Sequence, residues 1–125
     1  MGAPKTRLDE SLDDLRLALD HYESLDSSAT AEKKLAFLSL SKAFEVAVEY
    51  AWKELKVRAT DEGLDPQSPK AAIRDAARIG LVDDPNSWIL YVNTRNAGVH
   101  DYFALPAKEY LEIAHSFVAA AQKLR

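Results

Sequence analysis

The 125-residue sequence contains no cysteine. That absence excludes a disulfide framework, a thiolate metal site and a cysteine nucleophile. The N-terminus also lacks a signal-type pattern, and the two absences together lead to the expectation of a reducing, cytoplasmic setting. No apolar run reaches the roughly 18 residues that a membrane span requires, so no membrane form is expected. A basic excess is missing too. The formal charge is −4, whereas indiscriminate nucleic-acid binders carry surplus Lys and Arg to displace phosphate counterions. There is no phosphate loop, no Gly-x-Ser-x-Gly elbow, no zinc signature, no internal repeat and no linker. Met1, Gly2 and Thr6 match the short N-myristoylation pattern, but so loose a pattern is commonly met by chance.

What is present is an ordinary globular composition, 47% apolar and 29% charged, in a chain long enough for one core and too short for two. One domain, 1–125, is expected. Leu8, Leu12, Leu15, Leu19, Tyr22 and Leu25 recur at steps of four or three and predict a helix ending near Asp26. Thr30 is placed to cap a long second helix to about Ala59, with Lys33 where a full capping box needs an acid. Its buried stripe runs through Phe37, Leu40, Phe44, Ala47 or Val48, Ala51 and Leu55. Ser68-Pro69 and Gly80 bracket a short third helix through Ile73, Ala76, Ala77 and Ile79. Asp84-Pro85 starts a fourth, ending near Gly98, and Pro106 a fifth, with Leu111, Ala114, Phe117 or Val118, Ala121 and Leu124 inward. With no strand alternation, the expected fold is all-α, an antiparallel up-and-down bundle of about five helices.

Charge is uneven along the chain. Asp9, Glu10, Asp13, Asp14, Asp20, Glu23 and Asp26 crowd the first helix, a candidate partner-docking face, while Lys53, Lys56, Arg58, Lys70, Arg74 and Arg78 populate the middle. The fourth helix carries WILYVNTRNAGVHDY, from Trp88 to Tyr102. Trp88, Ile89, Tyr91 or Val92 and Val99 can face the core, leaving the polar residues to the other side. Arg95 and His100 are five apart, about 140° around an ideal helix, so they meet only if the helix ends near Gly98 and the chain turns back. A neutral-range histidine can move a proton at a ribose hydroxyl or leaving oxygen, and an arginine fork can stabilise charge gathering on phosphorus, with no metal required. One histidine does not readily serve as both base and acid, which suggests two copies sharing a cleft across a two-fold axis. The alternative is structural: Arg95 pairs with an acid, His100 caps the helix C-terminus, and Tyr102 packs with its hydroxyl bonded. Glu45, Glu49 and Trp52 share one side of the second helix, where Glu49 with Lys53 also forms an i, i+4 pair on a solvated face. His21 and His115 stand alone and are assigned structural roles, with no metal pair.

FEVAVEYAWKELK from Phe44, SPKAAIRDAARIGLVDD from Ser68 and W-x6-RN-x3-H-x-Y from Trp88 follow one another as in the nucleotidyltransferase substrate-binding family. The chain resembles that family, a branch of the HEPN (higher eukaryotes and prokaryotes nucleotide-binding) superfamily. The resemblance implies a homodimer of helical bundles without a cofactor, and a cognate minimal nucleotidyltransferase as partner. It further implies a metal-independent ribonuclease toxin in which Arg95 and His100 carry RNA cleavage, Asn96 assists, and Tyr102 is where the partner attaches a nucleotidyl group. The family's other description is a noncatalytic subunit that helps the transferase bind its substrate, with Glu45, Glu49 and Trp52 lining the nucleotide groove. Between Asn96 and His100 this chain has Ala97, Gly98 and Val99, where many relatives carry a bulkier residue and a hydroxyl.

Overall fold

A computed structural model describes residues 4–97 and 106–125. Its helices are α1 (Arg7–Ser24), α2 (Thr30–Asp61), α3 (Pro69–Arg78), α4 (Pro85–Ala97) and α5 (Ala107–Gln122). No strand occurs among the described residues, and none of their helices is long and apolar enough to cross a membrane.

The helix ends follow from local side-chain chemistry. Thr6 starts α1 with a complete capping box: its hydroxyl accepts from the Asp9 amide at 3.1 Å, and the Asp9 carboxylate accepts from the Thr6 amide at 3.0 Å. The helix stops at Ser24, short of the end expected near Asp26. Asp26 instead closes the next turn by accepting from the Ser28 amide at 3.0 Å. Thr30 does not cap; Ala29 holds the cap position without a side-chain bond, and Thr30 is already helical. Ser68 and Asp84 cap α3 and α4 as expected, accepting from the Ala71 amide at 3.1 Å and the Ser87 amide at 3.3 Å. Gly63 and Gly80 adopt φ of 87° and 80°, a left-handed stop that side chains with a Cβ rarely take. Behind each, the next amide reaches back to the helix, Leu64 to the Ala59 carbonyl and Leu81 to that of Ala76.

At 32 residues, about 48 Å by helical rise, α2 is the spine and touches all four other helices. Its predicted stripe is buried throughout, as are Leu8, Leu12, Leu15 and Leu19 of α1. On α5 the inward residue of the first turn is Tyr110, not Leu111, which is half-buried. Its ring fits against Phe37 and Phe44, with centroids 5.1 and 5.4 Å away. The aromatic packing continues from Phe44 through Phe117 to Tyr91 and Trp88, every ring pair tilted edge to face at 5.4–5.9 Å. This stack fastens α4 and α5 to the spine.

Polar ties close the bundle outside the core. Arg58 donates to the carbonyl of Leu124, and Arg125 Nε donates to Asp9 at 2.7 Å. His115, expected to be structural, links α5 to α1 through Glu23 at 2.8 Å. His21 sits exposed in the last turn of α1, where its carbonyl accepts from Ser24. Among the described residues no group of three or more His, Cys, Asp and Glu gathers as a metal site would need.

Candidate functional site

On α4 the inward stripe of Trp88, Tyr91 and Val92 repeats at steps of three and four, and the next position on it is Arg95. The expectation that the polar residues occupy the opposite side therefore holds for Asn93 and Asn96, which are exposed, and fails for Arg95, which is half-buried. Helical periodicity carries its guanidinium to the rim of the core, against α2. Arg95 also stands in the last turn of α4, where a cation complements the partial negative charge of the helix end.

There it meets Glu49. Arg95 Nη2 lies 2.8 Å from Glu49 Oε2, the Trp52 indole donates to that same oxygen at 3.0 Å, and Lys53 Nζ stands 3.4 Å from Oε1. Arg95 Nη1 donates to the Asn96 side chain at 3.1 Å. Partial burial works to raise the Glu49 carboxyl, but the Trp52 hydrogen bond and the charges of Arg95 and Lys53 outweigh it, and the group is held below its ordinary range. The i, i+4 pair with Lys53 expected on a solvated face is present, yet the face is half-buried and bridged to a second helix. Arg95 thus does what the structural alternative foresaw, pairing with an acid.

The Arg95 Nε is buried and has no hydrogen-bond partner among the described residues. Beside it a pocket of about 250 Å³ opens between α2 and α4, lined by Lys42, Glu45, Val46, Glu49, Tyr50, Lys53 and Arg95. Glu45, half-buried on the turn before Glu49, lies near Tyr110. Burial first, opposed by a hydrogen bond from Ser41 and reinforced by the Glu45 charge, pushes the Tyr110 hydroxyl up to about 12.

Four of the sequence-derived candidates, Glu45, Glu49, Trp52 and Arg95, are therefore brought to one seam, with Asn96 bonded at its edge. His100 and Tyr102 lie outside the described residues, as does Val99. The sequence reading missed Lys42, Val46 and Tyr50 as pocket residues. Lys42, Val46, Glu49 or Tyr50 and Lys53 recur at helical steps, a stripe beside the one already singled out, but the stripe alone does not say that it lines a pocket.

A family model matches residues 6–125, described as nucleotidyltransferase substrate binding protein like. The chain belongs to this family. The match takes in all five helices of the described residues, so the seam between α2 and α4 is part of the shared unit of a nucleotidyltransferase substrate-binding-like protein. No curated protein matches the chain.

Proposed function

We propose that this chain is the helical partner of a nucleotidyltransferase, working as a homodimer, and that its α2–α4 pocket receives a phosphodiester of RNA. The observation that carries this reading is the fixed guanidinium of Arg95. Glu49 takes one N–H of Nη2 and Asn96 one of Nη1, which leaves one N–H on each terminal nitrogen in a group that presents five. A guanidinium with an unused N–H on each terminal nitrogen has the donors to bond two phosphate oxygens. Lys42 and Lys53 line the same pocket and add positive charge.

In the ribonuclease form, His100 of one copy takes the proton from the ribose 2′-hydroxyl, whose oxygen attacks phosphorus. The 5′-oxygen leaves with a proton from His100 of the other copy, and a 2′,3′-cyclic phosphate remains. Arg95 stabilises the charge on the phosphoryl oxygens and Asn96 positions it. Tyr102 then serves as the acceptor at which the partner adds a nucleotidyl group and silences the site. One observation favours the noncatalytic form instead: Glu49 already neutralises Arg95, and with Glu45 it gives the pocket two carboxylates. That balance suits holding a nucleotide for the partner better than gathering charge at phosphorus.

The deciding experiment incubates the purified protein with end-labelled RNA in EDTA, beside Arg95→Ala and His100→Ala, with dimerisation followed by light scattering. Cleavage by the wild type that both variants lose while staying dimeric supports the ribonuclease. RNA binding that depends on Arg95, without cleavage, supports the substrate-binding subunit. Binding and cleavage both indifferent to Arg95→Ala overturn the pocket in either form.

A further inference from the structure

The pocket is more than a ring of charges. Tyr50 is half-buried, packed on the core along one side and lining the pocket with the rest. It lies one helical turn beyond Val46 and one short of Lys53, so α2 presents an apolar floor, Val46 and Tyr50, between Lys42 and Lys53. From Lys42 to Lys53 the axial rise is about 16 Å. Across this floor stands Arg95, with Glu45 and Glu49 in the wall.

The charge balance says what such a floor must do. The protein carries a formal −4, and three cations in the pocket face two carboxylates, so counterion release alone gives little affinity. A ligand held here has to gain from directional and apolar contact as well. An aromatic ring flanked by cations is the arrangement that single-stranded nucleic acids use, a base stacking on the ring while its phosphate meets the positive side chains. Bases in a duplex are stacked on one another and offer the ring no face.

We propose that Tyr50 is a base-stacking platform, and that the α2–α4 pocket therefore selects unpaired RNA, one base on Tyr50 and the adjoining phosphate on Arg95 and Lys53. This rests on the reading of the pocket as a phosphodiester site. Tyr50 is a specificity-determining residue on this account, and it takes no part in proton transfer.

The test measures binding of a fluorescent 2′-O-methyl oligoribonucleotide, which has no free 2′-hydroxyl and so cannot be cleaved by the route above. The oligonucleotide is offered single-stranded and paired with its complement, to the full chain and to Tyr50→Leu, Tyr50→Phe and Arg95→Ala, each checked for helicity and thermal midpoint. The expected result is at least a tenfold preference for the single strand, lost in Tyr50→Leu together with about tenfold in affinity, and kept in Tyr50→Phe. The slope of log affinity against log salt should be no steeper than about −2, the value for three neutralised phosphates on a single strand. Wild-type affinity in a folded Tyr50→Leu, with binding still dependent on Arg95, overturns the stacking platform and leaves the phosphodiester site standing. Binding unaffected by Arg95→Ala, or none by the wild type, overturns both.

Discussion

Two arginine–carboxylate clusters join helices in this bundle, and they differ in how completely each is satisfied. Arg125 ties the end of the chain to α1, with Nε on Asp9 at 2.7 Å, Nη1 on Gln122 at 3.3 Å, and Asp13 near at 3.7 Å. Asp13 is in turn held by Lys5 at 2.8 Å. Arg95 ties α4 to α2 with much the same exposure, 30% for the arginine and 29% for Glu49 against 28% and 19% for Arg125 and Asp9. Its Nε, however, is buried without a partner among the described residues, and a pocket opens beside it. The first cluster reads as a staple. The second borders a pocket with a buried donor that no described residue takes up, and it is the one for which binding is proposed.

The sharpest way to break the contrast is to remove what both clusters stand on. Phe117 is fully buried and stacks on Phe44, Trp88 and Tyr91. Phe117→Ala should cost roughly 3–5 kcal/mol, a large part of an ordinary domain's stability, and should loosen both clusters together in a denaturant titration. Next comes a double dissociation. Arg95→Ala should weaken RNA or nucleotide binding by about tenfold or more while the fold persists, and Arg125→Ala should lower the thermal midpoint and leave binding untouched. Loss of binding in Arg125→Ala at full folding would remove the distinction.

Acid sharpens the contrast further. Glu49 is held below its ordinary 4.5, so its share of stability is whole above that value and fades as pH falls through the lower folded-state value. Asp9 and Asp13 are held below 3.8, through backbone bonding to Thr6 and the hydrogen bond from Lys5 respectively, so their shares begin to fade only below that value. In denaturant titrations from about pH 6 to pH 3, the stability gap between wild type and Glu49→Gln should narrow before the gap between wild type and Asp9→Asn does. A gap for Glu49→Gln that stays constant over this range would show the carboxylate charge to be idle. The smallest effect is expected at the staple's edge: Thr6→Ala removes the α1 cap and should cost about 1 kcal/mol, seen as a modest midpoint shift with binding unchanged.

Much of this architecture was readable from the chain because its helices announce themselves. Ser68-Pro69, Asp84-Pro85 and Gly80 mark boundaries by backbone chemistry, and the stripe from Phe37 to Leu55 has helical period. Thr6 escaped notice because its reciprocal partner three residues on is Asp9, where the usual box has Glu or Gln. Thr30 misled because the helix starts one residue earlier than a cap there would allow, with Ala29 at the cap position and its carbonyl accepting from the Lys33 amide. Tyr110 and Leu111 both stand at helical spacing from Ala114, and the less apolar of the two enters because the space beside Phe37 and Phe44 takes an aromatic ring. Glu45, Glu49, Trp52 and Arg95 could be picked out singly, but their meeting, and the pocket walls added by Lys42 and Tyr50, depend on how α2 packs against α4. No periodicity within one helix encodes that packing.

The protein has two tryptophans, and the fold gives them different jobs as optical reporters. Trp88 is enclosed by aromatic rings, 4% exposed, and its emission should follow global unfolding. Trp52 is half-buried with its indole bonded to Glu49, so its quantum yield and wavelength should respond when the carboxylate's surroundings change. Replacing Trp88 with Phe would leave a single tryptophan, at the seam, which, excited selectively at wavelengths that tyrosine does not absorb, would record occupancy of the pocket in real time without a label.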